Sequence, residues 1–218
     1  MINYDILIDR ENNRFVIKGP VGIDSIPIEI PEDNPLKEKF IDLFLHKADI
    51  ERGMDFLQCI SVDKDITVNE GLFIAGLNNC MKCFKYSNAR NKLVKTEVFV
   101  EDEYMLKNFI EYEKMRDKHY DHDENGMLQA VAFLLLNKNE GEIFSGPPSV
   151  VWNRAKLNYY LAGQNLQQIM TCILRYIEKE IDNVGNQIVK CYEGYSKDEL
   201  QKWSVAKIVL ASDMVERK

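Results

Sequence analysis

The sequence predicts a mainly α-helical protein, a bundle of about six helices with a short β hairpin at its N-terminus. Three observations lead to this prediction. Apolar residues recur at helical spacing over most of the chain. Helix-start signals stand in front of several of these stretches. In the first thirty residues, by contrast, apolar and polar residues alternate as they do in a strand.

Size and composition indicate a globular fold that can bury a full core. The chain has 218 residues, of which 45% are hydrophobic and 29% are charged, close to the average for globular domains. A formal net charge of −7 argues against broad, nonspecific binding to nucleic acid, because Lys and Arg contacts to phosphate supply most of that affinity. Any nucleic-acid site should therefore be local.

The cysteines and the N-terminus indicate a cytoplasmic location. Five cysteines are an odd number and lie in apolar helical patterns, so we expect reduced thiols. The first residues carry acid where a signal peptide needs basic residues and an apolar run. Nowhere do 18 apolar residues run together, so no membrane association is expected.

The N-terminal elements are predicted to be strands. Tyr4, Ile6 and Ile8 alternate with polar neighbours, residues 11–13 form a polar turn, and residues 15–17 return. Residues 26–30 are a candidate edge strand, since the proline within them cannot donate to a ladder.

Helices are predicted from Asn34 onward. Asn34-Pro35 is a good helix start, and helical spacing continues from about residue 35 to 60. Thr67 and Glu70 form a candidate capping box for a second helix that reaches about Tyr86. A third helix is expected over residues 101–118, with acids in its first turn and basic residues in its last.

The C-terminal half is predicted to be helical as well. Met127–Asn137 is assigned to a fourth helix, although residues 132–136 also fit a buried strand. A long helix is expected from about Trp152 past Ile181, and a second capping box at residues 196–199 opens a last helix toward Met214. The predicted domains are a β appendage (1–33), a four-helix unit (34–140) and C-terminal helices on the same core (141–218).

Arg116, His119 and His122 form the main functional clue in the sequence. At about 100° per residue, these positions lie within an arc of roughly 120° on an α-helix. Arg keeps its charge and offers a planar fork to phosphate oxygens, while His exchanges protons near neutral pH. The combination suits phosphodiester chemistry. The alternative is a set of surface ion pairs with neighbouring acids such as Asp117 and Asp121 in the last helical turn.

These residues are similar to the motif of a known family. Arg116, followed by the polar Asp117 and then by His122, fits the R-x(4–6)-H motif of the HEPN superfamily. The run from Met115 to Asp123 resembles the R-N-K-H-x-A-H segments of its abortive-infection-like bacterial members. The resemblance covers roughly residues 36–137.

The resemblance implies a homodimeric helical bundle in which two Arg/His pairs meet, with metal-independent endoribonuclease activity in a toxin or phage-defence role. Arg116 would stabilise the pentacovalent phosphate and His122 would move protons. Asp117 would orient Arg116, and His119 would assist. The implied partners are an RNA substrate and an antitoxin protein, and no cofactor is implied.

A basic stretch is the candidate RNA-binding surface. Residues 81–96 contain no acid. The basic residues of this stretch are Lys82, Lys85, Arg90, Lys92 and Lys95. The alternative is a solvated helix end and loop.

Other readings of the same residues remain open. Cys80 and Cys83 together with His119 and His122 have the spacing of a structural zinc site, but the cysteines lie inside a predicted helix without a turn. The same position argues against a redox pair. The histidines with nearby aspartates could instead hold a catalytic metal, although no distant ligand is visible. We therefore predict no metal. A noncatalytic helical binding or assembly protein is the remaining alternative.

Overall fold

A computed structural model describes residues 4–9, 14–20, 26–88, 90–121, 128–136, 147–154 and 157–209. The fold-class prediction is confirmed, because this part of the chain is mainly helical and carries a β hairpin near the N-terminus. The helices are α1 (Lys37–Gln58), α2 (Ile66–Lys82), α3 (Lys95–Val98), α4 (Glu103–Met115), a π-helical segment (Arg116–Asp121), α5 (Tyr159–Tyr192) and α6 (Lys197–Leu200). The strands are β1 (Tyr4–Asp9), β2 (Arg14–Pro20), β3 (Leu128–Phe133), β4 (Ser149–Arg154) and β5 (Lys207–Val209).

The strands form two antiparallel sheets. One has the order β1-β2-β5, and the other contains β3 and β4. The predicted N-terminal hairpin is present as β1 and β2, while its turn at residues 11–13 lies outside the described residues. The candidate edge strand at 26–30 is reduced to one bridge, between Ile28 and Val205. Pro27 and Pro31 have no N–H groups, which explains why the ladder does not extend.

By its contacts the chain divides into two compact units. The first comprises residues 1–47, 86–92 and 176–218, and the second comprises residues 48–85 and 93–175. Both α1 and α5 contribute to each unit. The predicted domain limits at residues 33 and 140 stay predictions.

The core of the second unit is built from aromatic and aliphatic side chains of several helices. Phe84 and Phe99 both pack on Phe109, with ring centroids 4.5 and 5.3 Å apart. Phe73 packs on Tyr112 and Tyr159 at 6.2 and 5.7 Å. The buried aliphatic residues are Ile50, Leu57, Leu77, Met81, Leu166, Ile169, Met170 and Ile173. Burial of this apolar surface is the main stabilising contribution.

A close crossing of α1 and α2 depends on two glycines in the second unit. A Cβ atom added to Gly76 would lie 2.6 Å from the side chain of Leu57 and 3.1 Å from the carbonyl oxygen of Gly53. A Cβ atom added to Gly53 would lie 2.5 Å from Met170 Cε. The two backbones therefore approach so closely that larger residues would force the helices apart.

The first unit joins the start of α1 to the end of α5. The helix predicted from about residue 35 begins at Lys37, and before it Asn34 Oδ1 accepts from the backbone N–H of Leu36 at 2.9 Å, within the turn that leads into α1. Asn34 Nδ2 also donates to the Tyr192 hydroxyl at 2.7 Å. Two ion pairs link the same helices, Lys39 with Glu180 at 2.9 Å and Lys47 with Glu178 at 2.7 Å.

A buried polar group in the first unit holds the loop at residues 86–92 on α1. Asp42 Oδ2 accepts from both the backbone and the side-chain N–H groups of Asn91 at 3.0 Å. The ring Nε2 of His46 lies 2.7 Å from the Asn91 carbonyl oxygen and donates to it in the Nε2–H tautomer. His46 is itself buried.

The predicted boundaries of two helices are wrong in detail. The capping box at Thr67 does not form, because Asp65 caps α2 by accepting from the Thr67 N–H at 2.7 Å. This helix ends at Lys82 rather than near Tyr86. The third predicted helix begins at Glu103, where the Asp102 side chain accepts from the Met105 N–H at 2.9 Å.

The predicted helix at Met127–Asn137 is wrong, and the strand alternative is closer to the structure. Leu128–Phe133 forms β3, which pairs with β4 in a register that places Val131 opposite Val151. The predicted helix start at Trp152 is also wrong, because Ser149–Arg154 forms β4. Its helix begins at Tyr159, where Asn158 Oδ1 accepts from the Leu161 N–H at 3.1 Å. Valines in both strands favour a pleated backbone.

The last predicted helix is much shorter than expected. Its capping box at Ser196 and Glu199 is confirmed, but the helix ends at Leu200. Residues 207–209 instead form β5, which pairs with β2. The β-branched residues of this segment favour strand pairing over helix extension. The predicted end at Met214 lies outside the described residues.

Candidate functional site

Arg116 stands where α4 changes into the π-helical segment. It is the C-cap residue of α4, with φ −59° and ψ −53°, and it opens the segment that continues to Asp121. In a π-helix each N–H bonds to the carbonyl five residues earlier, so the turn is wider than in an α-helix. Such segments are rare and frequently lie at functional sites.

The guanidinium of Arg116 is held by two polar neighbours within the second unit. Its Nε donates to Asn78 Oδ1 of α2 at 3.3 Å, and its Nη1 donates to Asp117 Oδ1 at 2.9 Å. The Arg116 side chain is 24% exposed. It is therefore positioned by the fold and still reachable from solvent.

Asp117 links Arg116 to the basic stretch. Its two carboxylate oxygens accept from Lys85 Nζ at 3.1 and 2.8 Å. Partial burial acts to raise the pKa of Asp117, but the hydrogen bonds and positive charges of Lys85 and Arg116 outweigh it, and the pKa is lowered. Asp117 is therefore ionised at neutral pH and neutralises part of the charge of both cations.

The two motif histidines follow Arg116 along the chain. His119 lies in the π-helical segment, and His122 lies outside the described residues. The predicted arc of residues 116, 119 and 122 assumed α-helical geometry, which is wrong for this segment because its turn is wider. The roles assigned to Arg116, Asp117, His119 and His122 stay predictions.

The basic stretch does not form one uninterrupted positive surface. In the second unit Lys82 pairs with Asp49, Lys85 with Asp117, and Lys95 with Glu113. Arg90 and Lys92 belong to the first unit, where Lys92 is exposed. Acidic residues from outside residues 81–96 therefore neutralise part of the positive charge of this stretch.

Cys80 and Cys83 are both buried in the second unit. Burial raises the pKa of the Cys80 thiol well above its ordinary value, and the neighbouring Cys83 adds to the effect. Cys83 Sγ donates weakly to the Asn79 carbonyl at 3.6 Å. Within the described ranges, no group of three or more His, Cys, Asp or Glu residues is placed to hold a metal ion.

Two residues of this site were missed by sequence reasoning. Asn78 contacts Arg116 across 38 positions of sequence, and Glu113 pairs with Lys95. In the sequence, Asn78 is only a polar residue that follows the apolar Leu77, and this pattern does not specify a partner.

A separate groove of about 430 Å³ lies in the first unit. Its walls include Trp203 and Lys202 on one side and Lys37, with Glu29 and Glu32, on the other. Lys37 pairs with Glu32 at 2.6 Å and with Glu29 at 3.2 Å. None of the predicted site residues lines this groove.

Comparison with known proteins found no match to the chain among protein-family models, curated proteins or solved structures. Among the residues that the structure describes, no helix is long and apolar enough to cross a membrane. Fold and geometry together define a mainly helical protein with a positioned arginine at a π-helical segment.

Proposed function

We propose that the chain is a metal-independent endoribonuclease of the HEPN type, in which Arg116 binds the scissile phosphate. The observation that supports this proposal is the position of the Arg116 guanidinium, which Asn78 and Asp117 hold at the start of a π-helical segment. This segment leads to His119 and His122, the candidate proton-transfer groups.

A positioned guanidinium suits transition-state stabilisation. The pentacovalent phosphate carries more negative charge than the ground state, and a cation already fixed near it needs no reorganisation during the reaction. Asn78 and Asp117 provide this fixation by contacting two different nitrogens of Arg116. A freely rotating surface arginine would lose side-chain entropy on binding phosphate.

The first step of the proposed reaction needs neither a metal ion nor a water molecule. The RNA 2′-hydroxyl loses its proton to His122 and its oxygen forms a bond to phosphorus. The bond from phosphorus to the 5′-oxygen breaks, and that oxygen receives the proton that His122 took from the 2′-hydroxyl. The products are a 2′,3′-cyclic phosphate and a 5′-hydroxyl end, so DNA is not a substrate.

The paired lysines define how RNA would bind. Lys85 Nζ lies 2.8 Å from Asp117 and 3.9 Å from Glu113, and Lys95 lies 2.6 Å from the same glutamate. A phosphate must compete with these carboxylates, so binding should be weaker and more local than on an open basic surface.

The test compares Arg116→Ala with Lys114→Ala on a labelled single-stranded RNA. Lys114 lies two residues away, carries the same charge and pairs only at the surface with Glu111, at 2.9 Å. We expect Arg116→Ala to lower the cleavage rate roughly 10²- to 10³-fold and Lys114→Ala to leave it unchanged. Arg116→Lys keeps the charge but loses the planar fork, and should restore little activity.

Three further measurements complete the test. His122→Ala should lower the rate by about 10²- to 10⁴-fold, EDTA should have no effect, and the products should carry the ends given above. Expression of the wild type, but not of Arg116→Ala, should arrest cell growth if the activity serves a toxin or phage-defence role.

A noncatalytic binding or assembly protein is the second candidate. The observation that favours it is the pairing of Lys82, Lys85 and Lys95 with acids, which is also what a purely structural surface shows. If the purified wild type cleaves no RNA, and Arg116→Ala binds RNA as well as the wild type does, the endoribonuclease proposal fails and this candidate replaces it.

A further inference from the structure

The groove of about 430 Å³ in the first unit is built into the fold. The Glu29 N–H donates to the Ser204 carbonyl oxygen at 2.8 Å, and the Ala206 N–H donates to the Pro27 carbonyl oxygen at 3.0 Å. The two segments that these hydrogen bonds join are the ones that line the groove. Its shape is therefore fixed before any ligand binds, and its volume lies within the range of small-molecule sites.

The indole ring of Trp203 lines the groove and is held in place from behind. It packs on Tyr192 and Tyr195, with ring centroids 4.9 and 5.7 Å apart and interplanar angles of 84° and 70°. The Tyr192 hydroxyl in turn accepts from Asn34 Nδ2 at 2.7 Å. Trp203 nevertheless remains partly exposed. An aromatic ring positioned in this way offers a flat apolar surface and loses little conformational entropy when a ligand packs on it.

Two carboxylates and one ammonium group form an acidic part of the lining. Lys37 Nζ donates to Glu29 Oε1 at 3.2 Å and to Glu32 Oε1 at 2.6 Å, and the Lys37 side chain is only 12% exposed. Partial burial acts to lower the pKa of Lys37, but the hydrogen bonds and negative charges of the two glutamates outweigh it, and the pKa is raised. The three groups together carry a charge of −1. Lys37 uses only Oε1 of each glutamate, so both Oε2 atoms can accept from a ligand.

Lys202 supplies a separate positive charge to the groove. It is exposed, it precedes Trp203, and within the described ranges its ammonium group forms no ion pair. The groove thus combines an acidic group, a basic group and an apolar ring, and its two glutamates and two lysines balance in charge.

We propose that this groove binds a zwitterionic small molecule of the amino-acid class that carries an apolar or aromatic side chain. The ammonium group of the ligand donates to the carboxylates of Glu29 and Glu32. The carboxylate of the ligand accepts from Lys202, and the ligand side chain packs on Trp203.

The charges of the lining favour a zwitterion over an ion of one sign. A phosphate or another anion would lie close to the carboxylates of Glu29 and Glu32, and a simple cation would lie close to the ammonium group of Lys202. A zwitterion places each of its charges beside an opposite charge and leaves no charged group desolvated without a partner.

The first experiment measures the binding of L-phenylalanine by isothermal titration calorimetry and by tryptophan fluorescence. A Trp152→Phe background leaves Trp203 as the only tryptophan of the chain, so the fluorescence change reports on the groove. Phenylalanine has both charges and a flat side chain, and we expect saturable binding that changes the Trp203 emission. L-alanine has the same charges without the ring and should bind at least about 10-fold more weakly.

Two matched pairs of variants test the charged contacts. Glu32→Gln removes a carboxylate of the groove, whereas Asp33→Asn removes the exposed neighbouring carboxylate, which does not line it. Lys202→Ala removes an ammonium group of the groove, whereas Lys197→Ala removes an exposed one outside it. Glu32→Gln and Lys202→Ala should each raise the dissociation constant of phenylalanine roughly 5- to 10-fold. The two control variants should leave it unchanged.

Ligands that lack one charge show which residue contacts which group. N-acetyl-L-phenylalanine has no ammonium group, so Glu32→Gln should not weaken its binding further. L-phenylalaninamide has no carboxylate, so Lys202→Ala should not weaken its binding further. Both side chains are exposed, and thermal denaturation should show that the variants fold as the wild type does.

Several outcomes would overturn the proposal. These are the absence of saturable phenylalanine binding at millimolar concentration, equal affinity for phenylalanine and both analogues, or control variants that weaken binding as much as Glu32→Gln and Lys202→Ala do. Tighter binding of adenosine monophosphate, lost in Lys202→Ala, would assign the groove to a phosphate ligand instead. The inference is independent of the proposed endoribonuclease, so Arg116→Ala should bind phenylalanine as the wild type does.

Discussion

Helix α5 and the β3–β4 hairpin are both rich in apolar residues, yet the chain buries one and exposes the other. In the second unit, Leu166, Ile169 and Ile173 of α5 are at most 1% exposed, whereas Val131 and Leu136 of the hairpin segment are 66 and 68% exposed. The helix gathers its apolar residues into one stripe that faces other helices. The hairpin distributes them over two faces, so its apolar residues contribute little to folding.

The largest expected effect is the difference in free energy of unfolding between a substitution in the helical core and one in the hairpin. Phe73 is fully buried and packs on Tyr112 and Tyr159. Phe73→Ala removes this packing and should lower the free energy of unfolding by about 3–5 kcal/mol. Val131→Ala should change it by less than about 0.5 kcal/mol. Urea unfolding of dilute protein, followed by circular dichroism, measures both.

Equal destabilisation by the two substitutions would contradict the comparison. It would mean that the hairpin packs against other parts of its own chain. Sedimentation at the same dilution provides the control, because it shows whether dissociation of a dimer contributes to the unfolding signal.

The second prediction compares alanine substitutions at two glycines of one helix. Gly76 and Gly71 both lie in α2, but only Gly76 faces α1 closely, and a Cβ atom added to Gly71 would meet nothing within 4 Å. Gly76→Ala should destabilise by about 1–3 kcal/mol, since its methyl group would overlap Leu57. Gly71→Ala should stabilise by about 0.5–1 kcal/mol, because alanine has the higher helix propensity.

Thermal denaturation of Gly76→Ala, Gly71→Ala and the wild type tests this prediction. The two melting temperatures should move in opposite directions. A stabilising Gly76→Ala substitution would show that α1 and α2 are further apart than the structure has them.

The smallest expected effect concerns the charged cluster. Because the pKa of Asp117 is lowered in the folded state, its contribution to stability is complete above the ordinary value of 3.8 and is lost as the pH falls through the folded value. Wild type should therefore exceed Asp117→Asn in stability at pH 7, and the difference should shrink below pH ~4. With Asp117 38% exposed, solvent screening limits the effect to about 1 kcal/mol or less.

Glu111→Gln is the matched control for this measurement. Glu111 lies in α4, just before the segment that contains Asp117, and pairs with Lys114 at the surface, so its removal should change little at either pH. A difference between wild type and Asp117→Asn that grows on acidification would have the wrong sign and would exclude the ion-pair explanation.

The helices could be predicted because local signals and tertiary packing agree there. A helix begins close to the predicted start at Asn34-Pro35, the capping box at Ser196 and Glu199 forms, and the apolar stripes of α2 and α5 are buried as their spacing indicates. In each case the relevant partner is a few residues away or lies on a continuous helical face, and such information is present in the sequence pattern.

The remaining features depend on contacts that no local pattern contains. A short apolar run fits a helix or a strand equally well, and pairing of Val131 with Val151 decided between them. The change from α4 to a π-helical segment has no sequence signature that we recognise. Asn78 could not be linked to Arg116, because only the packing of α2 beside this segment brings them together.

The first unit has a consequence for the order of events during synthesis. Asn34 and its partner Tyr192 are 158 residues apart, and Lys47 and Glu178 are 131 residues apart. At the usual translation rate of about 5–20 residues per second, roughly 8–30 seconds pass between synthesis of Asn34 and of Tyr192. The beginning of α1 must wait throughout this interval for the helix it binds, so the unit that the ribosome starts first is completed last.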